Sequence, residues 1–466
     1  MKQEKKPLVK EDERIKKSLK YSIMDGAFYS SMLGFGESFF SAFAVFLKAT
    51  NIQLGLLSSL PQTLGFFSQL FSNRLLKLFG SRKKMVCAFA LLQGLMYVPI
   101  ALVFFFGTLR VYHLIIFMCL YWIFAVILGP AWNSWMGDLT EGKERGSYFG
   151  RRNRIGGFAS FAAFLISGYV LQRFSDGEWY QYLGFVVIFS LALISRIISL
   201  VYLTKKYEPE YKFTKDAEFS FWSFIREARS HNYGLFAFYL AFMNFAVYIS
   251  VPFFTPYMLK DLQMSYILFT AVTASAIISK IIMMPIWGKV SDQFGTKKIL
   301  TLTGFMMPIV PLLWIFSDNI LYLMIIQAYS GFVWAGFELA AFNFIFDTTS
   351  PQKRATCVAY FNVLNGVAIL SGAFLGSMIV RYNEVFWSKY LLVFMASCLV
   401  RYVASFLFIR RLREARQVDG IKYTDLFFRL ITMMPTMGMV NQLITFEKGM
   451  MVRFEKNIGR IRKGRL

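Results

Sequence analysis

The sequence predicts an all-α integral membrane protein with 12 transmembrane helices in two pseudo-symmetric six-helix bundles. Hydrophobic residues make up 56% of the chain and charged residues only 17%, whereas a soluble domain carries about 25% charged residues. Long apolar segments such as 84–106 and 181–203 reach the length of about 20 residues that crosses the hydrocarbon core. Basic residues also alternate from loop to loop, as they do in polytopic membrane proteins.

Twelve apolar segments have the length and composition of membrane spans. We place them at 22–47, 52–77, 85–107, 112–136, 148–173, 180–204, 232–259, 266–288, 299–317, 320–346, 356–380 and 388–410. The predicted organisation is a cytoplasmic N-terminal tail (1–21), a first six-helix bundle (22–204), a cytoplasmic linker (205–231), a second six-helix bundle (232–410) and a basic amphipathic cytoplasmic tail (411–466). We expect a short amphipathic helix at 217–229 in the linker, and interfacial segments on anionic lipid in the tail. A tail that docks a partner is the alternative.

The positions of the 51 lysines and arginines predict the topology. Three of them lie deep inside spans, away from the span ends: Arg196, Lys280 and Arg401. With the N-terminus in the cytoplasm, only six fall in loops on the opposite side: Lys48, Arg110, Arg173, Lys260, Arg381 and Lys389. This bias follows the positive-inside rule, so both termini are expected in the cytoplasm of a multi-pass protein in the cell (inner or plasma) membrane. The net charge of +24 does not indicate nucleic-acid binding, because it is spread over short loops.

A charged motif after the fourth span returns after the tenth. Both copies carry an aspartate, an arginine seven positions later and an asparagine fifteen positions after the aspartate. The residues are Asp138, Arg145 and Asn153 in the first copy, and Asp347, Arg354 and Asn362 in the second. Arg196 in the sixth span and Arg401 in the twelfth also correspond. The sequence therefore predicts a duplicated six-helix unit, as in many secondary transporters.

The loop between the eighth and ninth spans carries a more specific motif. It reads "GKVSDQFGTKK", with Gly288, Asp292, Gly295, Lys297 and Lys298 at the characteristic spacing. This motif resembles the signature found between the second and third spans of each half in the major facilitator superfamily, and it lies in the corresponding loop. The segments "GAFYSSMLGFGESFFSAFAVFL", "GLLSSLPQTLGFFSQL" and "WAGFELAAFNFIFD" also resemble a bacterial branch of that superfamily. The resemblance covers nearly the whole chain up to residue 413 and implies the fold of that superfamily and alternating access.

The first half has a divergent copy of this motif, "NRLLKLFGSRKK". Lys77 stands where the aspartate belongs, and Asn73 where the first glycine belongs. The resemblance implies a cytoplasmic gating role for a set of loop residues: Gly288, Asp292, Gly295, Lys297, Asp138, Arg145, Asp347, Arg354, Gly80 and Arg82. The alternative is that these charges only cap helices and fix the topology.

Ionisable residues inside spans are costly and are therefore functional candidates. Glu37 lies about 22 Å along the first span, near the membrane midplane, and is a candidate proton carrier or a structural hydrogen-bond anchor. Lys280 and Glu338 lie at similar depth in the eighth and tenth spans, so we expect them to pair, either as a static ion pair or as a substrate-responsive one. Arg196 and Arg401 are expected on peripheral spans, with partners near the cytoplasmic surface.

Amide and aromatic residues on the predicted lining helices are further candidates for substrate binding. They are Gln62, Gln69, Trp132, Asn133, Asn244, Tyr248, Trp334 and Asn343. Aromatic planes beside amides suit sugar rings, nucleosides or amphipathic organic molecules.

The predicted function is secondary active transport of a small organic solute by rocker-switch alternating access, with proton coupling as a symporter or antiporter. No GxxxxGK[ST] loop supports ATP-driven transport, and no catalytic constellation or metal-ligand spacing is present, so we expect neither an enzyme nor a cofactor. Expected partners are a small-molecule substrate, the bilayer and anionic lipid at the basic tail, with no nucleic acid, and the protein is expected to be a monomer. The alternatives are a transporter-fold sensor or assembly factor that does not transport, and a transporter of lipid or lipid-linked substrates.

Overall fold

The computed structural model describes residues 5–140, 145–210, 225–226, 232–348, 354–384 and 388–414, which form helices and connecting turns without any strand. The predicted linker helix at 217–229 and the tail beyond 414 lie almost wholly outside these ranges. The helices are α1 (Lys5–Phe35), α2 (Phe40–Phe46), α3 (Asn51–Ser68), α4 (Ser72–Phe79), α5 (Arg82–Leu95), α6 (Tyr97–Leu102), α7 (Arg110–Ile127), α8 (Gly129–Leu139), α9 (Arg145–Arg173), α10 (Glu178–Lys205), α11 (Asn232–Pro256), α12 (Tyr266–Phe294), α13 (Thr296–Met306), α14 (Ile309–Leu313), α15 (Ile320–Thr348), α16 (Arg354–Tyr382) and α17 (Leu391–Phe408).

Within the described ranges, nine helical segments are long and apolar enough to cross a membrane. They are Arg82–Phe105, Gly107–Leu139, Tyr148–Arg173, Glu178–Lys205, Asn232–Asp261, Tyr266–Phe294, Ile320–Ile345, Cys357–Tyr382 and Leu391–Arg411. These segments coincide with the predicted third to eighth and tenth to twelfth spans.

The predicted first, second and ninth spans are helical but are not among these nine. The first is rich in serine and glycine and contains Glu37, and its helix α1 begins at Lys5, well inside the segment predicted as a tail. Polar residues such as Gln62 and Gln69 interrupt the apolar character of the second. The ninth is broken between α13 and α14 at Pro308.

Several helix breaks coincide with prolines. Pro130 lies at the start of α8, directly after the end of α7 at Ile127. Pro308 precedes α14, and Pro99 lies in the first turn of α6. A proline has no N–H to continue the hydrogen-bond ladder and clashes with the preceding turn. The break at Pro130 starts a separate helix for Trp132, Asn133 and the residues that follow.

The buried apolar residues form one shared cluster and two separate ones. The shared cluster contains residues of both halves, among them Phe43 and Phe185 from the first and Phe253 and Phe394 from the second. It lies toward the end of the molecule that carries the turn at Lys48, which we call the outer end. At the opposite, inner end, which includes the start of α5, the first half (5–210) and the second half (232–414) each have a cluster of their own.

Hydrogen bonds also join the two halves at the outer end. Lys260 Nζ donates to the carbonyl oxygen of Ala49 (2.9 Å), Tyr390 Oη to Asn51 Oδ1 (3.0 Å) and Gln181 Nε2 to Tyr266 Oη (2.8 Å). Further toward the inner end, α3 and α16 remain linked, because Thr63 donates to the carbonyl oxygen of Gly366 (2.8 Å) and Asn362 donates to Gln69 (2.8 Å). This conformation is therefore closed at its outer end.

Arg196 and Arg401 are not peripheral, contrary to the prediction. They are only 3% and 2% exposed. Arg196 Nε donates to the carbonyl oxygen of Ala90 on α5 (3.3 Å), and Arg401 Nη1 donates to that of Met307, next to α13 (3.2 Å). Arg401 also donates to Ser250 Oγ (2.9 Å). Burial is tolerated because neighbouring helices supply acceptors for the guanidinium groups, and the equivalent arrangement in both halves supports the internal duplication.

Candidate functional site

Glu37 lies in a break of the first predicted span. Its backbone forms a short 3₁₀ turn, Glu37–Phe39, between α1 and α2. Tyr121 Oη donates to Glu37 Oε2 (2.9 Å), and Tyr97 Oη donates to Tyr121 Oη (3.4 Å). A Cβ atom on Gly36 would collide with the Tyr97 ring, so this approach requires glycine. Three helical segments therefore converge on one half-buried carboxyl group.

Two of the predicted amides lie in polar contacts between helices. Tyr248 Oη on α11 donates to Gln62 Oε1 on α3 (2.8 Å), which joins the two halves. Asn244 Nδ2 donates to Asn365 Oδ1 on α16 (3.0 Å). Asn365 was not singled out from the sequence, although its position three residues after Asn362 places it near the same helix face. The first of these bonds adds to the polar links between the halves, and the second lies within the second half.

Lys280 and Glu338 meet on neighbouring helices of the second half. Lys280 Nζ lies 2.6 Å from Glu338 Oε2, and the two side chains are 36% and 44% exposed. The helices α12 and α15 pack closely enough that a Cβ on Gly331 would fall on the backbone of Ala276. The two residues were predicted to pair because they lie at similar depth in their spans. Pairing lowers the free-energy cost of placing two charges at membrane depth.

The two other candidates on α15 have different surroundings. Trp334 packs against the inner cluster of the second half, with its ring centroid 6.1 Å from that of Phe337. Asn343 Nδ2 donates to Ser291 Oγ on α12 (3.4 Å). These contacts of Trp334 and Asn343 do not include Glu37 or Trp132. The predicted lining residues therefore form several local groups.

Sequence reasoning missed a buried charge cluster around Asp25 on α1. The side chain of Asp25 is 3% exposed, and Oδ2 lies 3.5 Å from Lys206 Nζ and 3.6 Å from Arg152 Nη2. Ser199 Oγ donates to Asp25 Oδ1 (2.8 Å). The signal was available, because Asp25 is an acidic residue inside the predicted first span. It was overlooked because it lies close to the end of that span, where charges are common.

Trp132 lies beside this cluster, and Asn133 follows it on α8. The Arg152 guanidinium carbon is 4.6 Å from the centroid of the Trp132 ring, and Lys206 Nζ is 5.7 Å from it. Such contacts are attractive because the ring face is electronegative. Asn133 is exposed. Trp132 is thus next to a strongly basic group on α9.

The predicted gating residues of the first half form a network at the inner end. Arg82 has a fully buried side chain, and its Nη1 lies 2.6 Å from Asp138 Oδ2. Glu208 Oε1 accepts from the backbone N–H groups of Arg82 (2.7 Å) and Lys83 (3.2 Å) at the start of α5. Gly80 has φ +62° and ends α4, a conformation that favours glycine. Lys77, which replaces the motif aspartate, is exposed.

The second half repeats this network with different residues. Thr296 Oγ1 donates to Asp347 Oδ2 (3.2 Å), and the backbone N–H of Lys297 donates to Glu414 Oε2 (2.8 Å). Gly295 has φ +93° before α13. Glu208 and Glu414 are therefore equivalent, and neither was singled out from the sequence. Each follows a basic doublet after the last span of its half, and a carboxylate at a helix N-terminus is favoured by the helix dipole.

Three further motif residues complete the comparison with the prediction. Asp292 is exposed, and the nearest atom to a Cβ placed on Gly288 would be Leu339 Cδ2 at 3.9 Å. Gly288 is therefore not required by packing in this conformation. The side chains of Arg145 and Arg354 lie outside what the structure describes.

Apolar helices arranged in two repeated halves define a multi-pass membrane protein. The chain belongs to the Major Facilitator Superfamily, whose family profile matches residues 26–256 and 236–446. One curated relative, Multidrug resistance protein 3 of Bacillus subtilis (strain 168), is 29% identical over 123 residues. That match covers 26% of this chain and 24% of the relative.

Solved structures of the same superfamily share the fold. A D-xylose-proton symporter superposes with a TM-score of 0.68 at 12% identity, covering 87% of this chain and 99% of that one. The nucleoside transporter NupG gives a TM-score of 0.63 at 13% identity, covering 85% of this chain and 98% of that one. The xylose transporter XylE from E. coli, in a partially occluded inward open conformation, gives 0.63 at 13% identity with 88% and 100% covered. At these identities the likeness concerns the fold alone.

Proposed function

We propose that this protein is a secondary active transporter of a small organic solute that works by rocker-switch alternating access and couples transport to protons through Glu37. The observation that carries the proposal is the carboxyl group of Glu37 in a helix break of the first span, bonded to Tyr121. An ionisable group at membrane depth is retained at a cost, and such groups mark ion and proton pathways.

Alternating access is supported by how the halves meet. They share one apolar cluster at the outer end and have separate clusters at the inner end. Movement of each half as a unit would break the bonds Lys260–Ala49 and Asn51–Tyr390. The networks around Glu208 and Glu414 lie within the halves and would persist.

The proposal includes the orientation of the protein in the membrane and the class of its substrate. The positive-inside distribution of basic residues puts the inner end, and both termini, in the cytoplasm. We place the protein as a monomer in the cell (inner or plasma) membrane, with its basic tail on anionic lipid. We propose to test three solute classes for which similar proteins are named: nucleosides, D-xylose with protons, and drugs.

A disulfide between the halves tests alternating access without a known substrate. An ideal Cβ on Gly55 (α3) would be 3.4 Å from the Cβ of Ser377 (α16), close to the Cβ separation of about 3.8 Å in a disulfide. The variant carries Gly55→Cys and Ser377→Cys, with the four native cysteines replaced by alanine and Gln62→Cys as a labelling reporter. When the disulfide forms, the reporter should no longer be labelled by an impermeant maleimide added outside. Reduction should restore the labelling.

A disulfide within one half is the matched control. A Cβ on Gly156 (α9) would be 3.5 Å from that of Ser30 (α1). Gly156→Cys with Ser30→Cys should leave labelling of the reporter unchanged, because the first half moves as a unit. Equal loss of labelling in both pairs, or in neither, contradicts the rocker-switch proposal and favours a protein that does not transport.

Proton coupling is tested in proteoliposomes with an internal pH dye. Uridine, uridine monophosphate, D-xylose and a lipophilic cationic dye are added in turn, and a solute-dependent pH change is expected for one of them. Glu37→Gln should abolish that change, whereas Glu384→Gln, an exposed carboxyl at the end of α16, should not. Undiminished proton flux in Glu37→Gln removes Glu37 from the mechanism. Flux of fluorescent lipid instead of any solute supports the lipid-transport alternative.

A further inference from the structure

We propose that Arg152, Trp132 and Asn133 form a subsite at the inner end of the first half that binds an anionic group of carboxylate or phosphate type. The inference rests on the proposed transport function and adds a chemical feature of the solute, a negative charge. It goes beyond the predicted lining residues, because Arg152 was counted among the loop charges that set the topology.

Positive charge exceeds negative charge around Asp25. One carboxylate faces two cations, Lys206 at 3.5 Å and Arg152 at 3.6 Å. The Lys206 side chain is fully buried and that of Asp25 is 3% exposed, so these two form the enclosed pair. Arg152 is 14% exposed and is the cation that an outside group reaches. A buried charge without a full partner is costly, and an anion at Arg152 would relieve that cost.

A third cation strengthens the positive potential. Arg196 Nη1 donates to Ser199 Oγ (3.3 Å), and Ser199 in turn donates to Asp25 (2.8 Å). Arg196 is 3% exposed and therefore does not contact a ligand itself. Coulomb interactions are less screened in a buried environment, so Arg196 still favours an anion nearby.

The guanidinium group of Arg152 is held in a fixed position. Its Nε donates to the carbonyl oxygen of Ser22 (3.1 Å), and its guanidinium group lies over the Trp132 ring. A Cβ on Gly26 would be 2.8 Å from Arg152 Cζ and Nε, so glycine makes room for the group. Among the residues that the structure describes, Nη1 has no hydrogen-bond partner. A fixed guanidinium with an available N–H edge matches the oxygen pair of a carboxylate or phosphate.

Asn133 supplies the neutral side of the subsite. It follows Trp132 on α8, is exposed, and its side chain makes no hydrogen bond to any described residue. The proposed subsite uses the amide N–H₂ of Asn133 as an additional donor for an anionic oxygen. The Trp132 ring adds an apolar surface for the organic part of a solute. We therefore expect an organic anion to bind more tightly than a neutral molecule of the same shape.

The test compares an anion with its neutral counterpart. Thermal unfolding of the full chain, purified in detergent, is followed in increasing benzoate, benzamide and inorganic phosphate. Benzoate or phosphate should raise Tm in a saturable way, and benzamide should not. Arg152→Gln should weaken the apparent affinity about tenfold or more, the scale of a hydrogen bond to a charged group. Arg173→Gln, at the outer end of the same helix, is the matched control and should bind as the unaltered protein does.

Folding of the variants is expected to be intact. In Arg152→Gln the carboxylate of Asp25 still has Lys206 as its partner, so Tm without ligand should change little. Asn133→Ala alters an exposed side chain and should weaken benzoate about threefold or more, which keeps the proposal testable if Arg152→Gln fails to fold. Equal stabilisation by benzamide, no stabilisation by either anion, or unchanged affinity in these variants overturns the proposal.

A lipid headgroup is another source of the same anionic chemistry, and a separate arm distinguishes it. The protein is placed in nanodiscs of phosphatidylcholine alone or with phosphatidylglycerol. Stabilisation by phosphatidylglycerol that is lost in Arg152→Gln assigns the subsite to a headgroup, whereas stabilisation by soluble anions in phosphatidylcholine assigns it to a solute. Because Tm does not depend on flux, anion binding with no transport overturns the proposed function and leaves the subsite standing.

Discussion

The carboxylate of Asp25 and the ammonium group of Lys206 face each other at 3.5 Å inside the first half, although they are 181 positions apart in the sequence. Asp25 is on α1, and Lys206 is the first residue after α10. The contact thus ties the beginning of the first half to its end. Arg152 on α9 joins the same carboxylate, so three helical segments depend on one acidic residue.

Asp25→Asn is expected to destabilise the protein by about 3–5 kcal/mol, because it leaves buried Lys206 without its counter-charge. The double variant Asp25→Asn with Lys206→Met should recover much of that loss, since it removes both charges. Thermal unfolding in detergent of the two single variants and the double variant measures the coupling. Asp176→Asn is the control, because that side chain is exposed and the loss of its charge should cost at most about 1 kcal/mol. Additive effects of the two changes would contradict the assignment of Asp25 and Lys206 as a pair.

Glu208→Gln is expected to loosen the inner end of the first half. Its carboxylate caps the start of α5 and receives N–H groups from Arg82 and Lys83, and loss of the charge should cost about 1 kcal/mol. Glu210→Gln, two positions later and exposed, should leave Tm unchanged. Hydrogen exchange of the amides of residues 82 and 83 reports the cap directly. Unaltered protection in Glu208→Gln would show that the cap contributes nothing.

Two glycines at helix interfaces should respond differently to alanine. Gly331→Ala places a methyl group on the carbonyl oxygen of Ala276, so α12 and α15 must separate and stability should fall by about 1–3 kcal/mol. Gly288→Ala meets only Leu339 Cδ2 at 3.9 Å, and Tm should not fall in this conformation. If the motif glycine is needed when the inner end closes, Gly288→Ala should reduce outside labelling of Gln62→Cys. Normal labelling in Gly288→Ala would remove that role.

Ser250→Ala should destabilise the second half. Arg401 Nη2 donates to Ser250 Oγ (2.9 Å) in a fully buried setting, and a donor left without an acceptor there costs about 1–3 kcal/mol. Ser371→Ala is a suitable control, because that exposed hydroxyl bonds only to the carbonyl oxygen of Val367 on its own helix. A Tm shift no larger in Ser250→Ala than in Ser371→Ala would mean that water or another group satisfies Arg401.

The helices and the family were predictable because they depend on local composition. Apolar length defines a span, and the motif at Gly288 and Asp292 is a spacing within eleven residues. The pairing of Lys280 with Glu338 was predictable from depth alone, because the number of residues from each to the end of its predicted span could be counted. Long-range partners were harder to predict. Asp25 was hidden by its place near the end of a span, and Arg196 was misjudged because sequence does not show which face of a helix packs inward.

The segment Lys206–Pro209 carries a consequence for how the chain is assembled during synthesis. Lys206 fills the interior of the first half, the carbonyl of Tyr207 accepts from Trp135 Nε1 (2.9 Å), and Glu208 and Pro209 hold Arg82. All the groups that close this end are thus made before residue 232 leaves the ribosome. The inner end of the first half can therefore close before the second half is made, while the inner end of the second must wait for Glu414, which caps α13 from beyond its last helix. Translation order would then close the inner end of one bundle before that of the other.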